Sequence, residues 1–393
     1  MMTAGLCFLR HTDGRISCKD NMGTINSLYL RNFRNHSELY LKDIESSFIF
    51  LTGPNGAGKT NILESLSLLM PGRGFRRARI KDIQKQGTES DPYGSWTVTA
   101  DVKAGHGKAV VGTGYDPVTE KRIVRIDGTA SSQAEVLDYL NILWLTPFMD
   151  SLFLDASSER RRFLDRMIVA YDPSHMGRVT RYENAMAQRS KFLREDRSET
   201  AWLDSLEAQM AETGVAIAAS RNDFLSRWQI KIADTICLSF PEALVCLNGM
   251  AEQALAGLPA LEVEEQLKSC FRKSRKTDSV TGGAAFGPHK TDLEIVYKAK
   301  NMPAASCSTG EQKSLLINLV LGHCRLLSEE RGLPPVLLLD EVAAHLDSNS
   351  RNTLFEILAD MGAQVWVTGT DHTTFQVSEG RFYNLKNGIL ESF

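Results

Sequence analysis

The stretch GPNGAGKT at residues 53–60 constrains the fold of this chain more than any other. It fits G-x-x-x-x-G-K-[ST] in full, and its neighbours are of the kind that pattern needs. SFIFLTG (47–53) is a continuous apolar run, as a buried strand shows, and NILESLSLLM (61–70) carries apolar residues at helical spacing. Strand, glycine loop and helix in that order read as a phosphate-binding loop. Gly53, Gly56 and Gly58 let the backbone wrap its amides around phosphate oxygens, with Pro54, Asn55 and Ala57 completing the loop. Lys59 offers a point charge to the β- and γ-phosphates, and Thr60 a hydroxyl to Mg²⁺. A glycine-rich turn that happens to hold a lysine does not account for the flanking strand and helix.

VLLLDE (336–341) ends a second buried-type strand in two acids. Beside a phosphate loop, Asp340 is expected to hold Mg²⁺ and Glu341 to act as the general base that orients and deprotonates water. An acidic N-cap for the following helix is the plainer alternative for that pair taken alone. STGEQK (308–313) opens a strongly helical stretch and fits a capping box, in which Ser308 and Glu311 satisfy each other's backbone amides. The same helix tip is a candidate anion site.

Alternation in TINSLYLRNFRNHSELYL (24–41) predicts two short strands around a polar turn, and WTVTADV, KAVVGTGY and KRIVRI between 96 and 126 predict an antiparallel meander. Beyond residue 157 long helical patterns take over up to about 240, with Trp202, Leu206 and Met210 on one face and Trp202 and Trp228 as packing residues. Strands return with TDLEIVY (291–297), PVLLLD (335–340) and AQVWVTG (363–369), around a buried-type helix at 314–327. The expected fold is therefore α/β: an ATPase head made of a phosphate-loop sheet and an antiparallel β-meander, with an inserted, mostly helical lobe and no long coiled coil. The expected division is a loosely ordered leader at 1–23, ATPase parts at 24–150 and 281–393, and the helical lobe at 151–280. Met22 is an alternative start.

At 393 residues the length suits two packed units. A net charge of −3 confines any nucleic-acid surface to a local patch. The seven cysteines are scattered with no paired C-x-x-C spacing, which argues against a zinc site or a disulfide framework, and no run of 18 apolar residues points to a membrane span. A cytoplasmic protein, with no membrane partner, is the expectation.

AHLDSNSR (344–351) adds a Leu-Asp turn, and the order phosphate loop, Ser-Thr-Gly-Glu, Asp-Glu strand, Leu-Asp turn resembles the ABC-type ATPases. Within them, LYLRNFRNHSEL (28–39), PGRGFRRAR (71–79), SERRRFLDR (158–166) and FGPHKTDL (286–293) resemble the RecF family of bacterial DNA repair and replication-restart ATPases. The resemblance implies ATP with Mg²⁺ as cofactors and an ATP-dependent homodimer, in which Ser308 and Gly310 of one copy meet the γ-phosphate held by the other, with Asp347 at the same seam. It further implies weak, DNA-stimulated ATP hydrolysis acting as a switch, recombinase loading at single-strand gaps, a part in the SOS response, and other recombination mediators as partners. No glutamine stands where ABC-type ATPases place their lid residue, so Thr146 and Asp150 are the candidates, and Thr368 or Thr370 stands where others have a histidine. His372 nearby reads as solvated.

For sequence-independent DNA binding, single-stranded or gapped, the candidates are Arg73, Arg76 and Arg77 in GRGFRRARIK and Arg160 and Arg161 in ERRRFLDR. Arg178, Arg181, Arg189, Lys191 and Arg194 of the helical part are weaker candidates, because acids are interspersed. Two other functions remain open at this point, an ATPase subunit of a membrane transporter and a nuclease coupled to an ABC-type ATPase.

Overall fold

The apolar run before the phosphate loop becomes the middle of a parallel sheet. The computed structural model describes residues 23–85, 95–105, 107–195, 200–235, 239–332, 334–342, 346–370 and 380–386, with the backbone of 389–392. The expected leader to residue 22, His372, Cys7, Cys18 and Cys237 lie outside the described residues.

In chain order, β1 (Thr24–Phe33) and β2 (His36–Leu41) form a hairpin, β3 (Phe48–Thr52) leads through the phosphate loop into α1 (Lys59–Ser67), and β4 (Thr97–Ala104), β5 (Gly107–Asp116), β6 (Lys121–Ile126) and β7 (Thr129–Ala130) follow. β8 (Ile142–Leu145) precedes the helices α2 (Ser157–Tyr171), α3 (His175–Arg194) and α4 (Thr200–Asp234). Then come β9 (Ala243–Asn248), α5 (Met250–Ala254), α6 (Ala260–Thr281), β10 (Asp292–Tyr297) and β11 (Met302–Pro303). The chain closes with α7 (Thr309–Arg331), β12 (Val336–Leu339), α8 (Ser348–Asp360), β13 (Val365–Thr368), β14 (Arg381–Lys386) and β15 (Ile389–Ser392).

Among the described residues the strands make three sheets. The antiparallel one has the order β2-β1-β4-β5-β6-β7, so the meander read from alternation is present and is joined edge to edge with the first hairpin. The second, β15-β14-β3-β13-β12-β8, is parallel apart from β15. Every residue of β3, β8, β12 and β13 is buried, as strands covered on both faces require. A buried glutamine ties the two sheets: Gln364 accepts from the amide of Ile25 at 2.9 Å and donates to its carbonyl at 3.0 Å. β9, β10 and β11 form the small third sheet.

The fold is thus mixed α/β, with a helical insertion and, among the described residues, no long coiled coil. The helices divide between two apolar cores. Phe163, Leu164 and Met167 of α2 and Phe224, Trp228 and Ile232 of α4 join the core of the ATPase sheets, while Tyr182, Leu206, Met210, Val263, Leu267 and Phe271 build a separate core. Trp228 is fully buried and donates to the Leu319 carbonyl at 2.9 Å. Trp202 departs from the expectation: it is 50% exposed. The buried stripe of α4 begins at Leu203, and because both i+3 and i+4 spacings reach Leu206 and Met210, the sequence pattern fits either neighbour.

Parallel strands carry their C-terminal ends to one edge, and that edge collects the phosphate loop after β3, Asp340 after β12, Gly369 after β13 and Thr146 after β8. β13 lies between β3 and β12, so Thr368 at its end separates the phosphate loop from the acid pair.

Candidate active site

The phosphate loop is shaped by close backbone approach. Gly53 has φ 138°, and a Cβ there would meet the Leu385 carbonyl oxygen at 2.3 Å; Gly58 has φ 107°, and its Cβ would strike Asn35 and His36 at 2.6–2.7 Å. Asn35, part of the Asn-Phe-Arg-Asn run, donates to the Ala57 carbonyl at 3.1 Å and accepts from Asn61 at 2.6 Å, so the tip of the first hairpin braces the loop from outside. Sequence reasoning used that run only as a fingerprint and missed this bracing role, since the hairpin lies some twenty residues from the loop.

No side chain caps α1, and its first turn holds no acid. Its leading amides, which lack intrahelical partners, therefore point their partial positive charge at the loop. α7 and α8 differ: Ser308 and Glu311 form the full capping box, and Asp347 accepts from the amides of Asn349 and Ser350 at 3.0 Å each. Of α1, α7 and α8, which follow the phosphate loop, the Ser-Thr-Gly-Glu run and the Leu-Asp turn, α1 has no side-chain cap.

Lys59 is buried and donates to the carbonyls of Gly53 at 2.7 Å and Pro54 at 3.0 Å. An ammonium has three donors, so the third is left for a phosphate oxygen. Burial lowers the Lys59 pKa, and the charges of Glu341 and Asp340 oppose that, which also places both acids near its ammonium.

Asp340 is the hub. Its Oδ1 accepts from Thr60 Oγ1 at 2.9 Å and from Thr368 Oγ1 at 2.8 Å. Burial raises its pKa, while the two hydroxyls favour the charged form. Thr368 in turn accepts from the amide of Glu341 at 2.9 Å. Glu341 sits in left-handed backbone, φ 55°, a costly conformation for a residue with a Cβ and one that clusters at functional sites. The contact with Thr368 holds that peptide in place. Thr60 and Asp340 are thus bonded to each other, and Thr368 links Asp340 to the Glu341 backbone.

Ser308 and Gly310 are exposed, and a Cβ on Gly310 would meet nothing within 4 Å. Among the described residues no hydrogen bond or ion pair joins 308–310 to the phosphate loop of the same chain. Glu311 is held by Lys300 and by the Ser308 amide and hydroxyl, and these lower its pKa to about 2. Asp347 is likewise exposed, at the N-terminus of α8. Of the two lid candidates, Asp150 lies 3.6 Å from Lys313 on α7, whereas Thr146 is buried at the end of β8.

The arginine clusters are mostly engaged. Arg76 bonds Asn61 at 2.7 Å and Glu64 at 3.0 Å, sharing Glu64 with Arg34; Arg77 pairs with Glu159. Arg160 grips Asp292 through two bonds of 2.8 and 2.7 Å, and Arg161 donates to the Thr291 carbonyl at 2.6 Å. These two therefore clamp α2 to β10. Arg73 is exposed and, among the described residues, makes no ion pair. Arg189 corrects a sequence expectation: it is fully buried and neutralises Glu207 at 2.9 Å and Asp278 at 2.7 Å, so it faces no DNA.

Among the described residues no helix is long and apolar enough to cross a membrane. The model of the RecF/RecN/SMC N-terminal domain matches residues 24–387. The chain is 44% identical to the DNA replication and repair protein RecF of Brucella suis, covering 93% of this chain and 96% of that protein. It is 42% identical to RecF of Mesorhizobium japonicum, over 93% and 97%. Among solved structures, the recombination mediator protein RecF-ATP in the RecFOR pathway superposes with a TM-score of 0.83 at 24% identity, over 95% of this chain and 98% of that one. The Smc head domain of Pyrococcus furiosus, bound to the C-terminal domain of ScpA, gives 0.53 at 16%, over 95% and 96%.

Proposed function

Because the chain belongs to the RecF family of DNA replication and repair proteins, within the RecF/RecN/SMC N-terminal domain group, we propose that it is an ATP-operated DNA-binding switch that works as two copies. The observation that carries this reading is a division of labour. The bare N-terminus of α1, Lys59 and the Asp340 hub make one half of a triphosphate site, and the exposed, capped tip of α7 makes a second half that its own phosphate loop does not use.

The triphosphate rests on the amides of the loop and on the third donor of Lys59. Thr60 Oγ1 and the Asp340 carboxylate lie 2.9 Å apart, and these two oxygens would hold Mg²⁺, which would supply neutralisation of phosphate charge. Glu341, fixed by Thr368, orients the attacking water and accepts its proton. Ser308 and Gly310 of the second copy close over the γ-phosphate, and Asp347 lines the same seam. Hydrolysis then removes the group that bridges the copies and releases the pair. Turnover is slow because the complete site exists only in the pair.

DNA is held without regard to sequence, with the exposed Arg73, which makes no ion pair among the described residues, as one contact and Arg76 beside the nucleotide. Loading of recombinase at gaps, SOS induction and partnership with other recombination mediators belong to the same proposal; membership of a family named for DNA replication and repair supports them.

Mixing Lys59→Ala with Ser308→Arg tests the shared site. Each variant alone is inactive in ATP turnover, and the mixture regains part of the wild-type rate, because a mixed pair keeps one intact composite site. A mixture as dead as its components, or a monomer that hydrolyses ATP at the full rate, would falsify the pairing.

A further inference from the structure

Beside the nucleotide site lies a second pocket, of about 200 Å³, between the 75–77 loop, the end of β8 and the start of α2. Its walls combine rings and cations with Thr146, Met149 and the carboxylate of Glu159. Phe75, Trp144 and Phe148 supply aromatic rings, and Arg76, Arg77 and Arg166 supply cations.

The charges are not equally answered. Glu64 pairs with Arg76 and Glu159 with Arg77. Arg166 makes no ion pair or hydrogen bond among the described residues; its guanidinium lies 4.5 Å from the ring centre of Trp144 and 5.5 Å from that of Phe163. Burial, reinforced by the charge of Arg77, lowers its pKa to about 9. Arg166 is half-buried, so its guanidinium keeps some contact with water, and the aromatic faces offset part of what burial costs it. Phe148, on the same pocket, leaves 67% of its surface in water.

Trp144 and Arg166 also border a smaller, mostly apolar cavity of about 40 Å³, where the buried Nε2 of His323 has no partner. The ring and the guanidinium therefore have room on their far side to shift as a ligand enters.

Rings beside an unanswered cation match a planar heterocycle that carries a phosphate. We propose that this pocket takes one unpaired nucleotide of the bound DNA strand, its base stacked on the exposed Phe148 ring and its phosphate on Arg166. The proposal rests on the DNA-binding reading above and adds to it a preference for gaps and ends. An intact duplex has to unpair and unstack a base to fill the pocket, at a cost of a few kcal/mol, whereas a gap offers one without that cost.

The test uses the full chain with ATP, a gapped duplex with 2-aminopurine in the gap, and a fully paired duplex of equal length. Binding of the gapped DNA quenches the probe. Phe148→Ala abolishes that quenching and weakens gapped-DNA binding roughly 10-fold, as loss of one base stack does, while leaving the paired duplex unaffected. Phe148→Tyr restores both, and Phe148 is exposed enough for these variants to fold. Quenching and affinity unchanged in Phe148→Ala overturn the proposal. So does equal wild-type affinity for the two DNAs, or a Phe148-dependent response to free 2-aminopurine nucleoside triphosphate, which would make the pocket a site for free nucleotide. Failure to bind any DNA with ATP would remove the DNA-binding reading as well.

Discussion

Thr368 shows how one hydroxyl can set the geometry of a catalytic edge. It donates to Asp340 and accepts from the Glu341 amide, so it fixes the acid proposed to hold the metal and the strained peptide of the acid proposed to orient water. A hydrogen bond to a charged group is worth about 1.5–3 kcal/mol. Thr368→Val keeps the shape and removes the hydroxyl; ATP turnover falls about 10–100-fold while ATP affinity, which rests on the loop and Lys59, changes little, as parallel single-turnover and equilibrium-binding measurements will read. At this scale the sequence was informative about Lys59, Thr60, Asp340 and the Ser308 capping box, because each belongs to a local pattern with its own chemistry. It was blind to the partner of Thr368, which lies 28 positions away. It was equally blind to Arg189, whose exposed-looking charge run hides a fully buried ion pair.

Among the elements, the Gly-Pro-His turn before β10 holds the helical insertion to the head. Gly287 has φ 119°, and a Cβ on it would meet the Tyr182 hydroxyl at 2.1 Å. That hydroxyl hydrogen-bonds His289 Nδ1 at 2.8 Å, the Pro288 carbonyl accepts from Arg221 at 2.7 Å, and Arg221 bonds Asp165 through two contacts of 2.9 Å. Gly287→Ala thus meets both a backbone penalty and a clash, and destabilises by more than about 2 kcal/mol. An unfolding free energy from urea titration lowered by that amount, and partly regained in the Tyr182→Phe background, checks it. The motif was visible in the sequence as a fingerprint only. Its work as a clasp between α2, α3 and α4 required knowing which helices pack there.

For the molecule as a whole, the buried His323 and the half-buried His289 tie stability to pH. Burial lowers the pKa of His289 to about 4 and that of His323 to about 3, from the ordinary 6.5. The folded chain keeps both neutral, while the unfolded chain takes up protons below 6.5. Their contribution is therefore complete above that pH and is lost as pH falls toward 4 and 3. Thermal midpoints recorded across this range decline on the acid side, and His323→Leu flattens part of the decline; a flat wild-type profile would contradict the burial. On this scale the sequence by itself determined the α/β class, the strand-loop-helix of the phosphate site, the antiparallel meander and the helical insertion, because apolar periodicity and glycine placement act over a few residues. Only the tertiary structure decided that β13 lies between β3 and β12, that Arg160 and Arg161 serve as clamps, that Leu203 rather than Trp202 starts the buried stripe of α4, and that Arg166 stands unanswered among rings. Each of these depends on which surfaces meet across long stretches of chain, and a helical or strand period specifies a face without specifying its partner.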